Sequence, residues 1–113
     1  VEAIFKAVPP AYRHGRIHPA TRTFMALRIY ANQELENLKM LLENLKKIVR
    51  KNGRVTIIAF HSLEDRVVKN YFRDLAKTGQ IELLTKKPIV PTYEEIKENP
   101  RSRSAKLRAI KIL

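Results

Sequence analysis

The chain has 113 residues, enough for one small domain, and its hydrophobic share of 44% is typical of a globular protein rather than a disordered one. The absence of cysteine excludes disulfides and thiolate metal sites and leads us to expect a reducing, cytoplasmic location; no apolar run approaches the roughly 20 residues of a membrane helix, so we expect no membrane partner. Twenty-three Lys and Arg against eleven Asp and Glu give a net charge of +12, which favours a polyanionic partner, above all nucleic acid.

The N-terminal region, residues 1–17, combines a short apolar pattern with a basic loop. Pro9-Pro10 ends the apolar pattern, and we expect Tyr12 to Arg16 to be irregular. The chain does not begin with Met, so we expect it to be a piece of a longer protein. The apolar positions are Ile4, Phe5 and Val8.

A helical stripe follows over residues 19–50. Pro19 suits the first turn of a helix, and Asn32 is a candidate for a break into two helices. Arg50 and Lys51 suit the negative end of the helix dipole, and Gly53 suits the position just past it. Apolar residues recur every three or four positions, at Phe24, Leu27, Ala31, Leu35, Leu38, Leu42, Leu45 and Val49.

The apolar, β-branched run Val55 to Phe60 is typical of a buried strand in a parallel sheet. We expect Ser62 to begin the next helix, with Asp65 completing an imperfect capping box, and Gly79 to close it. The apolar face of this helix is predicted to be Leu63, Val67, Tyr71 and Leu75, with Val68 and Phe72 beside it.

The remaining elements alternate, which predicts an α/β layered fold. A sheet of three strands with one fully apolar strand would leave an edge unpaired. We therefore expect a missing part of the parent protein, or a second copy of this chain, to cover that edge. In order, the elements are a strand at Ile81 to Thr85, an extended basic stretch at Lys86 to Pro91, a helix at Tyr93 to Glu98 capped by Thr92 and Glu95 and ended by Asn99-Pro100, a basic loop at Arg101 to Ser104, and a strand at Leu107 to Leu113.

The turn after the apolar strand is the first candidate site, because ligands gather at the carboxyl ends of parallel strands. His61 and Ser62 lie there, beside helix N–H groups that favour anions. The alternative is that Ser62 only caps a helix and His61 only fills a corner. Adjacent residues rarely face each other, so Ser–His catalysis is disfavoured. The histidines are scattered, and we expect no metal site.

Two basic clusters are candidate phosphate contacts. Arg22 and Thr23 lie at a helix start, and Arg28 follows on the same helix. Arg101, Arg103 and Ser104 combine guanidinium groups with a small hydroxyl. The alternatives are a solvated helix face and a flexible basic connector. With only three separate glycines, no dinucleotide or P-loop fingerprint is present.

Three segments, His18–Phe24, Phe60–Arg66 and Glu98–Arg108, resemble in the same order the C-terminal half of the bacterial RsmH (MraW) family of ribosomal RNA methyltransferases. Lys86–Ile96 is similar to the family's segment between its last two strands. The resemblance covers residues 16–113, and its Phe-His-Ser-Leu-Glu-Asp-Arg run is specific. Ser102 stands where the family pattern has Ala.

The resemblance implies an S-adenosylmethionine-dependent enzyme that methylates the exocyclic N4 of a cytidine in 16S ribosomal RNA, at the decoding site. It implies the C-terminal part of a class I, Rossmann-like methyltransferase sheet, here three strands with flanking helices. Residues 1–17 would end a helical insertion and linker, and residues 18–113 would form the C-terminal half of the catalytic domain. The last strand would run antiparallel to its neighbours.

The family's glycine-rich cofactor loop, its acidic residue for the ribose and its acidic strand end beside the target base have no counterpart in this chain. We therefore expect no cofactor-binding residue here, and we expect the fragment alone to be inactive. Its part would be docking of the small ribosomal subunit RNA through the two basic clusters, with His61 and Ser62 shaping a pocket wall. The alternatives are a basic RNA-binding module without catalysis and a helical interaction domain over residues 19–50.

Overall fold

The computed structural model describes residues 1–15 and 17–113 and divides into two compact units, Val1–Glu34 and Leu35–Leu113. Arg16, the last residue of the predicted basic loop, lies outside the described residues. Along the described ranges, no helix has both the length and the hydropathy to cross a membrane. The elements are α1 (Glu2–Ala7), α2 (Pro10–Arg13), α3 (Pro19–Asn32), α4 (Glu34–Glu43), α5 (Leu45–Ile48), β1 (Arg54–Ala59), α6 (Ser62–Lys77), β2 (Ile81–Leu83), α7 (Tyr93–Glu98), a 3₁₀ helix (Pro100–Ser104) and β3 (Lys106–Ile112).

The first unit is helical. Helix α2 occupies part of the segment predicted to be irregular, because Pro10 at its start needs no hydrogen-bond acceptor for a backbone N–H. Pro19 opens α3 as predicted, but the cap is His18, whose Nδ1 accepts a hydrogen bond from the Ala20 N–H at 3.1 Å. The His18 ring also stacks on Phe5 of α1, with 5.5 Å between ring centroids.

The prediction of one apolar stripe over residues 19–50 is wrong in its first half. The candidate break at Asn32 is confirmed, since α3 ends there, where Gln33 adopts a left-handed conformation with φ of 50°. This change of direction breaks the helical phase, so the stripe does not run through it. Phe24 and Leu27 are 51% and 58% exposed, whereas Ile29 is buried.

The end of the helical region also differs from the prediction. Helix α5 ends at Ile48, so Gly53 does not cap it. The left-handed residue before β1 is Asn52, with φ of 68°. Gly53 is needed for a different reason, since a Cβ at this position would lie 2.8 Å from the Arg50 carbonyl oxygen.

The second unit is built on a sheet with the order β1-β3-β2, in which β3 runs antiparallel to both neighbours. The predicted antiparallel last strand is therefore confirmed. The expectation that β1 is a buried strand of a parallel sheet is wrong for this chain. Among the described strands β1 pairs only with β3, and its residues alternate in exposure, with Ile58 52% exposed. An edge strand with one covered face gives this alternation.

Helix α6 covers one face of the sheet. Its buried residues are Asp65, Val68 and Phe72. The inner face of the helix is therefore not centred on the predicted line that starts at Leu63, and Leu63 is 41% exposed. The helix ends with Gly79 at φ of 75°, as predicted from glycine's tolerance of this conformation. The buried core comprises Leu42, Leu45, Val68, Phe72, Ile81, Ile110 and Ile112.

The C-terminal segments largely match the prediction. Helix α7 has the predicted bounds, and the Thr92 hydroxyl accepts a hydrogen bond from the Glu95 N–H at 3.2 Å. Strand β2 ends at Leu83, two residues earlier than predicted. The predicted basic loop is instead a 3₁₀ helix that begins at Pro100.

Candidate functional site

The β1–α6 turn is held by side chains that bond to its own backbone. The His61 Nδ1 accepts a hydrogen bond from the Glu64 N–H at 3.3 Å, so His61 is the N-cap of α6. Glu64 reaches back, and its Oε2 accepts from the Phe60 N–H at 3.1 Å. The predicted capping box of Ser62 and Asp65 is therefore wrong by one residue, since the reciprocal pair is His61 and Glu64.

This arrangement leaves different surfaces on the two predicted site residues. The His61 side chain is 7% exposed, and its Nε2 lies 3.3 Å from Glu64 Oε1. Ser62, the first residue of the helix, is exposed, and its hydroxyl bonds to no other residue that the structure describes. The hydroxyl of Ser62 is thus available to a ligand, while His61 fixes the turn that presents it.

A buried ion pair joins the first turn of α6 to strand β3. Arg108 of β3 donates two hydrogen bonds to Asp65, from Nε to Oδ1 at 2.7 Å and from Nη2 to Oδ2 at 3.1 Å. The two side chains are 11% and 10% exposed, and Lys106 Nζ lies 3.9 Å from Asp65 Oδ2. The hydrogen bond from Arg108, helped by the charges of Arg108 and Lys106, holds the pKa of Asp65 below its ordinary value although burial opposes this.

Sequence reasoning missed this pair, yet the sequence contains two signals of it. Asp65 shares a helical face with Val68 and Phe72, which lie three and seven residues on. Arg108 alternates with Ile110 and Ile112 on the inner face of β3. When a carboxylate and a guanidinium both lie on apolar faces, we expect them to pair, because burying either charge alone costs a large amount of free energy.

The predicted basic loop is an ordered surface because of one small residue. Ser102 is buried, and its hydroxyl donates a hydrogen bond to the Asn99 carbonyl oxygen at 2.8 Å. Arg101, Arg103 and Ser104 are exposed around it. Neither guanidinium makes a hydrogen bond or ion pair with another residue in the described ranges, so both are free to bind an anion.

The third predicted group lies in the first unit, on α3. Arg22 is exposed, whereas the Thr23 hydroxyl is engaged, donating to the Pro19 carbonyl oxygen at 3.4 Å. Arg28 Nε lies 3.3 Å from Glu34 Oε1, so a carboxylate of the same unit already compensates its charge. Of these three residues, Arg22 is the most available to a phosphate. It also lines a cavity of about 450 Å³ between α2 and α3.

The chain matches a known family along its whole length. The sequence pattern of the MraW methylase family matches residues 1–113. Three similar proteins carry the name Ribosomal RNA small subunit methyltransferase H. The one from Koribacter versatilis is 61% identical over 103 residues, which is 91% of this chain and 33% of the relative. The one from Sulfurihydrogenibium sp. (strain YO3AOP1) is 54% identical over 95% of this chain and 36% of the relative.

The third, from Persephonella marina, is 52% identical over 110 residues. That match covers 97% of this chain but 38% of the relative. The chain thus spans little more than a third of the length of the curated relatives it matches.

Proposed function

Because the chain belongs to the MraW methylase family, we propose that it is part of a methyltransferase that uses S-adenosylmethionine to methylate N4 of a cytidine in 16S ribosomal RNA. The family match over all 113 residues carries this proposal. The net charge of +12 supports an RNA substrate. The small ribosomal subunit is a cytoplasmic particle in bacteria, and we propose the same location for the parent enzyme.

The residues of this chain do not fit the cofactor. A dinucleotide-type site needs glycines at the strand-to-helix turn so that the backbone can approach the ligand. At the β1–α6 turn His61 and Glu64 stand instead, and their side chains already accept hydrogen bonds from two N–H groups of the turn, those of Phe60 and Glu64. We therefore assign no cofactor contact and no step of the transfer itself to this chain.

The proposed role of the chain is to bind and orient RNA. Methylation of an exocyclic amine depends mainly on alignment of the amine, and the target base must leave its stack. Arg101 and Arg103, with Arg22, would contact backbone phosphates and hold the strand. Arg28, which is already paired with Glu34, would be the weakest of the predicted contacts. The Ser62 hydroxyl would contact the RNA at the pocket wall, and His61 would position it.

The sheet edge supports the proposal that the parent protein continues the sheet. The outer edge of β1 has no strand partner among the described residues. Ile58 of β1 and Phe60 just after it are more than half exposed, so a face of this strand is uncovered as well. Exposed apolar edge strands are normally covered. We propose that the missing half of a class I, Rossmann-like sheet covers it, with a second copy of this chain as the alternative.

Replacement of both arginines of the 3₁₀ helix, Arg101→Ala with Arg103→Ala, tests the RNA role in the intact parent enzyme. We expect weaker binding of 16S ribosomal RNA and a salt dependence that is shallower by about 0.7 to 0.9 per lost phosphate contact. The control removes two exposed lysines, Lys39→Ala with Lys47→Ala. An unchanged salt slope in the arginine variant would count against the role, as would an equal change in the control.

A further inference from the structure

A small basic pocket lies beside the buried ion pair and shares Arg108 with it, but none of the predicted RNA-contact residues lines it. Its volume is about 190 Å³, which accommodates a phosphate group. Every charged residue that lines it is a cation, and no carboxylate does. The lining residues, called the α6–β3 basic pocket below, are Lys69, Phe72, Arg73, Leu83, Thr85, Lys86 and Arg108.

The positive charge of this pocket is only partly compensated. The Asp65 carboxylate neutralises the Arg108 guanidinium by accepting hydrogen bonds from Arg108 Nε and Nη2. Arg73 Nε lies 3.3 Å from the neighbouring Asp74, but both side chains are more than half exposed, so this pair is weak. Lys69 and Lys86 are exposed, and neither forms an ion pair within 4 Å in the described parts of the chain. The charge of Lys69 acts on Asp65 through space, but that carboxylate is already bonded by Arg108. Two lysine charges are therefore available to an anion.

The other lining groups suit a phosphate as well. The Thr85 hydroxyl oxygen accepts a hydrogen bond from the Ala109 N–H at 3.1 Å, which fixes the side chain and leaves its own proton to be donated. Phe72 is buried and Leu83 is part of the apolar lining. An apolar floor lowers the local dielectric constant and strengthens the attraction between the lysines and a bound anion.

We propose that the α6–β3 basic pocket binds one backbone phosphate of the RNA, in addition to the phosphates held by Arg101 and Arg103. The inference rests on the proposed function for the identity of the ligand as RNA. Free phosphate shares the chemistry, but two exposed lysines and one hydroxyl form a weak site for a lone anion. A phosphate that is tethered to other contacts on the same RNA gains from a high effective concentration.

The test replaces the two free lysines with an apolar residue of similar length, Lys69→Met with Lys86→Met, in the intact parent enzyme. The matched control is Lys77→Met with Lys87→Met, which removes the same charge from the same helix and the same loop, outside the pocket. Binding of a fluorescent 16S ribosomal RNA fragment is measured by anisotropy over a range of KCl concentrations. We expect the pocket variant to bind about fivefold more weakly, with a salt slope shallower by about 0.7 to 0.9, and the control to stay within about twofold.

An equal loss in the control would overturn the proposal, because general charge would then explain the effect, and so would unchanged binding in both variants. A titration with inorganic phosphate separates the two sources of the anion. Saturable binding of phosphate that the pocket variant loses, together with unchanged RNA affinity, would overturn the assignment to RNA. Methyl transfer by the unaltered parent enzyme to small ribosomal subunits is measured separately. Its absence would refute the proposed function while the binding result still decides the pocket.

Discussion

At the scale of single residues, the contact between Asp65 and Arg108 matters most for how α6 packs on the sheet. It joins the first turn of α6 to the central strand of the sheet through two hydrogen bonds of 2.7 and 3.1 Å. A buried pair of this kind adds little when compared with an apolar pair of the same shape, but loss of one partner leaves an uncompensated charge. The pair therefore fixes which helix face meets the sheet.

Asp65→Asn should lower the free energy of unfolding by about 3 kcal/mol, because the Arg108 guanidinium would lose its counter-charge in a largely buried position. The measurement is urea unfolding followed by circular dichroism. Asp74→Asn, an exposed carboxylate on the same helix, is the control and should have almost no effect. Equal midpoints for Asp65→Asn and the unaltered chain would refute this account of the pair.

The same pair predicts a pH dependence. The hydrogen bond from Arg108 holds the pKa of Asp65 below its ordinary value of 3.8 in the folded chain. The unfolded chain therefore takes up this proton at a higher pH than the folded chain, so the stabilisation is complete above about pH 5 and is lost as the pH falls below that. The difference in unfolding midpoint between the unaltered chain and Asp65→Asn should therefore be large at about pH 7 and smaller at about pH 3. A constant difference would contradict the lowered pKa.

At the scale of elements, histidine rather than a hydroxyl residue caps the two longest helices. His18 accepts from the Ala20 N–H, and His61 accepts from the Glu64 N–H. Serine, threonine, aspartate and asparagine are the usual caps, so the pattern Ser62 to Asp65 favoured the wrong residue. The consequence is that Asp65 is released from the cap and turns inward to Arg108.

His61→Ala should lower the free energy of unfolding by about 1 kcal/mol, since the Glu64 N–H would lose its acceptor. His61→Asn keeps an acceptor and should recover most of that loss. If His61 acts on RNA only by positioning Ser62, the asparagine variant of the parent enzyme should also recover methyl transfer. Recovered stability without recovered activity would show that the imidazole itself contacts the substrate.

At the scale of the whole molecule, the chain belongs to a family whose compared members are longer. It spans a third to two-fifths of the length of each compared relative. Its second unit has a complete core on one side of the sheet and an unpaired apolar strand at its edge. An unpaired apolar edge favours the proposed enzyme fragment over a self-contained RNA-binding module. The two hypotheses also differ in what they expect of the cofactor.

Isothermal titration of this chain with S-adenosylmethionine should give no binding in the micromolar range, because the turn after β1 has no glycine and the side chains of His61 and Glu64 occupy two of its N–H groups. The intact parent enzyme serves as the positive control and should bind. Micromolar binding by the chain alone would refute the view that the cofactor site lies elsewhere. Absence of binding by both would instead support the module without catalysis.

The sequence by itself determined the family, the net charge, and the bounds of the elements that carry strong local signals. Local chemistry predicts helix α7 with its Thr92 cap, and also the glycine that ends α6. The run of apolar, β-branched residues predicts the position of strand β1. Such features depend on residues a few positions apart, which is the range over which propensity and capping act. The basic clusters were also visible in the sequence as candidate contacts.

Only the tertiary structure decided how the faces are used. The sequence offered Asn32 as a candidate break, but the exposure of Phe24 and Leu27 before that break was not predicted. The pairing of Asp65 with Arg108 joins residues 43 positions apart. The α6–β3 basic pocket likewise draws its lysines from a helix and from a distant loop. Local patterns show that a charge on an apolar face needs compensation, but which distant group supplies it depends on how the packed elements bring side chains together.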